Sequence, residues 1–132
     1  DELGLEIPEE YVREGVYHDP DRCAELTREL LQLPEPPTCI LMPDDFSSIG
    51  GSNAIRRMGL RFPEDVSAAG YDGIQLASVT NPAMTTYRQD TAALGKTAAA
   101  KLIELIEKPR TALVDRILIP GKLVEGGSVR AI

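Results

Sequence analysis

The stretch TCILMPDDFSSIGGSNAIRRMGLRFPEDVSAAGYD, residues 38–72, decides the fold. Residues 38–42 form a continuous apolar run bounded by prolines, which suits a short strand buried on both faces. Ser47 or Ser48 can cap the helix that follows, which carries Ile49, Ile55 and Met58 and stops at Gly59. Residues 66–70 make a second small apolar strand. A strand, a helix and a strand in so short a span imply a βαβ crossover, and hence a parallel pair.

The flanks extend the pattern. Residues 11–16 alternate apolar and polar side chains and predict a strand. Asp19-Pro20 opens a helix, with Asp as N-cap and Pro at the first helical position. Cys23, Leu26, Leu30 and Leu33 give that helix one apolar stripe, and the PEPP at 34–37 ends it. Downstream, the segment MTTYRQD supplies a further strand, and residues 91–108 read as a helix with Leu94, Ala98, Leu102, Leu105 and Ile106 on one side. Two late strands are expected near 113–119 and 122–124. The class is α/β, with a mainly parallel sheet flanked by helices. Two features point to a part of a larger protein. An early strand has no strand before it to pair with, and the long helix stands apart from the other βα units.

The chain has 132 residues, 42% hydrophobic and 27% charged, which is one ordinary domain able to bury a core without staples. No apolar run is long enough to span a membrane, and no stretch looks like a secretion signal. The net charge of −7 is concentrated early: residues 1–38 hold eleven acids and three bases. Such a surface repels phosphate backbones, so these residues are not expected to grip nucleic acid themselves. The basic group Arg56, Arg57 and Arg61 suits the end of a helix, where cations meet the negative pole of its dipole.

In open parallel sheets, ligands bind beyond the carboxyl ends of the strands. That rule selects Tyr17 and His18 after the first strand, Asp44 and Asp45 after the second, Asp72 after the third, and Arg88, Gln89 and Asp90 after MTTYRQD. An aromatic ring, carboxylates and an amide on one rim suit a polyhydroxylated ligand, because carboxylates accept paired hydrogen bonds from neighbouring hydroxyls. Plainer roles compete. Asp45 reads as a structural helix cap, which leaves Asp44 for a ligand. Asp72 lies in YDG, a turn-like tripeptide. His18 reads as a solvated loop residue, and Cys23 and Cys39 as small apolar core residues.

Catalysis has little support. One histidine and two cysteines without a CxxC leave no zinc site, and GxSxG, GxxxxGK[ST] and GxGxxG are all absent. A Mg²⁺ enzyme built on Asp44, Asp45 and Asp72 is the chemical rival, without a lysine or nucleophile to complete it. The expectation is a protein that is not an enzyme, with no cofactor and no metal.

From Cys39 to about Ser128 the chain resembles the effector-binding core of the lactose-repressor/galactose-repressor (LacI/GalR) family of bacterial transcription regulators. The resemblance is carried by MGLRFPEDVSAAGYD, by TTYRQ and the long helix after it, and by LIPGKLVEGGS. EGVYHDPDRCAELTRELLQL fits the family's preceding strand and helix less distinctively. The chain departs from the family at three places: Asp44-Asp45 stands where Asn-Asp is usual, Asp72-Gly73 where two acids are frequent, and Asp90 where proline is frequent.

The resemblance implies a two-lobed, periplasmic-binding-protein-like sensor that closes on a small molecule. Residues 1–90 and 113–128 would form most of the C-terminal lobe, and 91–112 would cross to the other lobe. The first lobe, the first strand of this lobe and a helix-turn-helix would lie outside these residues. Tyr17 would stack on the ligand, Asp44 and Asp72 would hydrogen-bond it, and Gln89 and Thr91 would sit at the crossover. Two carboxylates disfavour an anion, so a sugar or polyol is the expected effector. Homodimers would pair near Ile49 and Val79. The implied protein is a cytoplasmic repressor that meets operator DNA only through the helix-turn-helix and has no membrane partner. A periplasmic or surface sugar-binding protein of a transport system is the alternative on the same fold. The stripe of the helix at 91–108, separated from its usual partner, is expected to dock onto its own sheet or a second chain.

Overall fold

The computed structural model describes residues 4, 6–109, 111 and 116–131. Three helices and one four-stranded sheet carry the fold: α1 (Pro20–Leu31), β1 (Cys39–Leu41), α2 (Asp45–Arg57), β2 (Ser67–Asp72), β3 (Thr85–Arg88), α3 (Thr91–Glu107) and β4 (Lys122–Val124). The sheet runs β1-β2-β3-β4 in order. β1 and β2 pair in parallel with Ile40 opposite Ala68, and β2 and β3 in parallel with Tyr71 opposite Tyr87. β4 returns antiparallel, setting Leu123 beside Tyr87.

The α1 start follows its sequence signals: Asp19 accepts from the Arg22 backbone N–H at 2.9 Å, with Pro20 at the first helical position. Cys23, Leu26 and Leu30 are buried. Cys23, Leu30 and Leu31 join Ile40, Met42, Ile55, Phe62, Val66, Ala68, Ala77 and Met84 in the core between the two helices and one face of the sheet. Fully burying each large apolar side chain contributes about 1.5–3 kcal/mol. α1 and α2 cross closely at Gly50, where an added Cβ would lie 1.8 Å from the Pro20 carbonyl oxygen. This close approach accounts for a glycine inside a helix, where it otherwise costs about 1 kcal/mol against Ala.

Several expectations are corrected. Residues 11–16 do not form a strand: a 3₁₀ turn at Glu9–Tyr11 leads into chain that joins no ladder. Alternation alone makes no strand without a neighbour to bond. α2 is capped by Asp44, whose side chain accepts from the Ser47 N–H, and not by Asp45, Ser47 or Ser48. β2 runs two residues further than its apolar stretch, so Asp72 is the last residue of the strand. Of the two late strands only Lys122–Val124 pairs; residues 116–119 are unpaired, and 113–115 lie outside the described residues. None of the residues of α3 is buried, and Leu102 and Ile106 are 59% and 70% exposed. The helix therefore does not dock onto its own sheet.

The last described residues close the sheet from below. Ser128 is fully buried; its hydroxyl donates to the Ala68 carbonyl and accepts from the Thr85 N–H, both at 2.7 Å. One side chain thus bridges β2 and β3.

Candidate functional site

The carboxyl ends of β2 and β3 converge on one carboxylate. The Tyr17 hydroxyl donates to Oδ2 of Asp72, and Gln89 Nε2 donates to its Oδ1 at 2.5 Å. The Gln89 backbone N–H also reaches the Asp72 carbonyl at 3.2 Å. Three of the residues picked from the sequence, Tyr17, Asp72 and Gln89, therefore form one cluster across 72 positions of chain between Tyr17 and Gln89. The hydrogen bond to Asp72 is the main reason the Tyr17 phenol is pushed up to about 12, with burial and the Asp72 charge adding to it. At neutral pH the phenol is a donor.

Asp72 holds this position in an unusual backbone state, with φ 102°, on the left-handed side that residues with a Cβ avoid. Gly73 follows at φ 70°, and its N–H donates to the Thr86 hydroxyl at 3.2 Å. The Ile74 N–H then donates to Asp45 Oδ2 at 2.9 Å. Asp45 is 2% exposed, and its other oxygen lies against Gly70, where an added Cβ would come within 2.3 Å. Asp45 thus anchors the loop after Asp72, and the cap of α2 is Asp44 instead.

Asp44 departs further from its expected role. Its side chain is wholly buried, with Oδ1 taking the Ser47 N–H and Oδ2 taking the Ser47 hydroxyl at 2.7 Å and the His18 N–H at 3.0 Å. Burial pushes its carboxyl up, and the hydrogen bonds from Ser47 and His18 outweigh it, so the net direction is down. Three hydrogen bonds occupy this buried carboxylate, all from Ser47 and His18. It holds the Tyr17–His18 turn against the start of α2, and so acts on the site through Tyr17.

His18 is exposed in a turn, as read from the sequence, and two aromatic contacts there go beyond that reading. His18 stacks on Tyr17 with ring centroids 4.4 Å apart, and Phe46 stands beside it at 5.9 Å. Phe46 is 40% exposed on the first turn of a helix, and a large apolar residue in that place is the signal that sequence reading passed over. Thr91, at the start of α3, does not join the Asp72 cluster. It lines a separate cavity of about 330 Å³ with Arg88, Gln89, Gly121 and Lys122. Ile49 is half-buried on α2, and Val79 is 69% exposed just after the 3₁₀ turn Gln75–Ser78, which packs against α2. Among the described residues, no group of three or more His, Cys, Asp or Glu is placed to hold a metal ion.

Residues 1–129 match the Periplasmic binding protein-like domain. The chain belongs to that family. Within it, the chain is 32% identical over 134 aligned positions to the HTH-type transcriptional repressor PurR of Escherichia coli, an alignment covering 98% of this chain and 39% of that protein. Among solved structures, a putative transcriptional regulator LacI from Bacillus cereus subsp. cytotoxis superimposes with a TM-score of 0.90 at 25% identity, over 98% of this chain and 45% of that one. The transcriptional regulator CelR in complex with cellobiose gives a TM-score of 0.86 at 29% identity, over 96% and 38%. The LacI/GalR resemblance and the α/β class are thereby borne out. These relatives are regulators, which favours the sensor reading over the transport one. The chain spans 39% of the length of the curated relatives it matches. No described helix is long and apolar enough to cross a membrane.

Proposed function

We propose that this chain is the effector-sensing part of a bacterial DNA-binding transcription regulator, a repressor whose operator affinity is set by a neutral sugar or polyol. The observation that carries this reading is the Tyr17–Asp72–Gln89 cluster at the carboxyl ends of β2 and β3, beside the Tyr17–His18 stack. Asp72 supplies the acceptor for paired hydroxyls, Gln89 both a donor and an acceptor, and the tyrosine ring an apolar face for a pyranose or furanose. Asp44 positions Tyr17 instead of meeting the ligand. The cellobiose bound to the CelR relative is consistent with this chemistry.

In this reading α3 crosses toward a second lobe, and Gln89 and Thr91 lie at the crossing. Its exposed apolar stripe is covered there. The faces carrying Ile49 and Val79 pair with a second subunit, DNA is held by a separate helix-turn-helix, and the protein works in the cytoplasm without catalysing a reaction. The effector shifts the regulator only by binding one state better than the other.

Calorimetry on the full-length regulator against a panel of monosaccharides and disaccharides tests this. Asp72→Ala should weaken the binding sugar at least tenfold, since a charged hydrogen bond is worth about 1.5–3 kcal/mol. Unchanged affinity in that variant would remove the cluster from the effector site.

A further inference from the structure

Arg88 and Lys122 stand opposite each other across the antiparallel pair of β3 and β4. Like charges directly opposite on neighbouring strands repel. Among the described residues, neither cation has an acid within ion-pair distance; the ion pairs there are made by Arg13, Arg22, Arg61 and Lys101. Asp72, the partner of Arg88 on β2, accepts from Tyr17 and Gln89 instead. Arg88 Nε is buried and, among the described residues, has no hydrogen-bond partner. An unpaired buried donor on a charged group is costly to keep. The stem of Arg88 packs on Gly73, where an added Cβ would lie 2.3 Å from Arg88 Cβ.

Both cations line the cavity of about 330 Å³, and the first turn of α3 lines it with them through Thr91 and Ala92. The N–H groups of those two residues precede the first helical bonds: the Asp90 carbonyl takes the Leu94 N–H, and Asp90 Oδ1 takes the Ala93 N–H. The first peptide groups of a helix carry partial positive charge. A guanidinium, an ammonium and a helix N-terminus thus meet at one cavity from three elements. The acid in its lining is Asp90, with one oxygen already engaged as the cap.

We propose that this cavity binds a phosphoryl group, either as free phosphate or as part of a larger ligand. The planar fork of Arg88 pairs with two oxygens of a tetrahedral anion, and Lys122 adds a point charge. The α3 N-terminus supplies a third set of donors. A carboxylate, with two oxygens, would leave one of the three sets unused. Once bound, the anion screens Arg88 from Lys122 and gives the buried Nε an acceptor. Two cations and a helix end outweigh the opposing charge of Asp90. The cavity touches the Tyr17–Asp72–Gln89 cluster through Gln89, which lines it and donates to Asp72, so the two sites are neighbours. The phosphate site does not rest on the sensor reading.

Calorimetric titration of the full-length protein with inorganic phosphate, at low ionic strength and neutral pH, tests this. The expected result is saturable binding with a Kd of about 1 mM or tighter. Arg88→Gln and Lys122→Gln should each weaken it about tenfold, and the Lys122 side chain is exposed, so its loss leaves the core intact. Asp90→Asn keeps a good N-cap and removes the opposing charge, so it should tighten phosphate by about two- to threefold, a gain that no folding defect produces. No saturable binding, or the same Kd in wild type and Lys122→Gln, would overturn the proposal. The source of the phosphoryl group is read by titrating sugars and their phosphate esters. An ester that binds about tenfold tighter than its parent sugar and displaces inorganic phosphate assigns the site to a larger ligand; phosphate binding that no ester displaces assigns it to the free ion. The phosphate titration uses no sugar, so its failure and that of the sugar panel are separate results.

Discussion

At the scale of single residues, two aspartates of the candidate site, Asp44 and Asp72, are held in different ways. Asp44 caps α2 and ties down the Tyr17–His18 turn, so Asp44→Ala should cost about 1–2 kcal/mol in urea unfolding, the value of a lost N-cap. Its folded carboxyl binds a proton less readily than the unfolded one. The stabilisation is thus complete above the unfolded value of about 3.9 and disappears as pH falls through the lower folded value. Urea midpoints measured between pH 5 and pH 2 should show the wild type losing stability more steeply than Asp44→Asn. Asp72 presents a different case, a residue with a Cβ held at positive φ while its carboxylate takes the Tyr17 and Gln89 hydrogen bonds. Asp72→Gly and Asp72→Ala both remove that group, but only glycine accepts φ 102° freely. The glycine variant should be the more stable by about 1 kcal/mol, and equal midpoints would show that the backbone there is not strained. The carboxyl ends of β2 and β3 could be picked out from sequence, hence Asp72 and Gln89, while Tyr17 comes from a strand that does not form. That Asp44 and Asp45 are both buried, one capping α2 and the other holding Ile74, could not be read there, because two adjacent acids before a helix differ only in where the preceding strand aims them.

At the scale of elements, the helices were legible and the strands partly so. α1 declared itself through Asp19-Pro20 and its leucine stripe, and α3 was read to within one residue of its observed end. Strands need partners, and a partner is a non-local fact, which is why residues 11–16 and 116–119 carry strand-like patterns and no ladder. Ser128 shows the same non-locality from the other side. Nothing in GGS marks a serine whose hydroxyl bridges two strands 43 and 60 residues away. Ser128→Ala leaves the Thr85 N–H and the Ala68 carbonyl short of a buried partner, and should cost about 2–6 kcal/mol by thermal or urea unfolding, given about 1–3 for each group. A loss under 0.5 kcal/mol would mean that the bridge carries no net stability.

At the scale of the whole molecule, stability is unevenly spread. α1 and α2 share the core with β1 and β2, while α3 buries none of its residues. A helix without packing is marginal in water. In this chain the α3 amides should exchange with solvent at least a hundredfold faster than those of α1 and α2; equal protection would show that α3 has found a partner, and size measurement would say whether that is a second copy. By itself, the sequence determined the α/β class, the two packed helices and the family resemblance. Those follow from local chemistry: apolar spacing, caps, and the order of strands and helices. The tertiary structure alone decided that Asp44 is a buried cap, that Asp72 is held at positive φ beside Gly73 and the Asp45–Ile74 bond, and that, among the described residues, nothing pairs with the outer edge of β1. Each of those depends on groups far apart in the chain arriving within hydrogen-bonding distance, or failing to, and that is settled by packing in three dimensions.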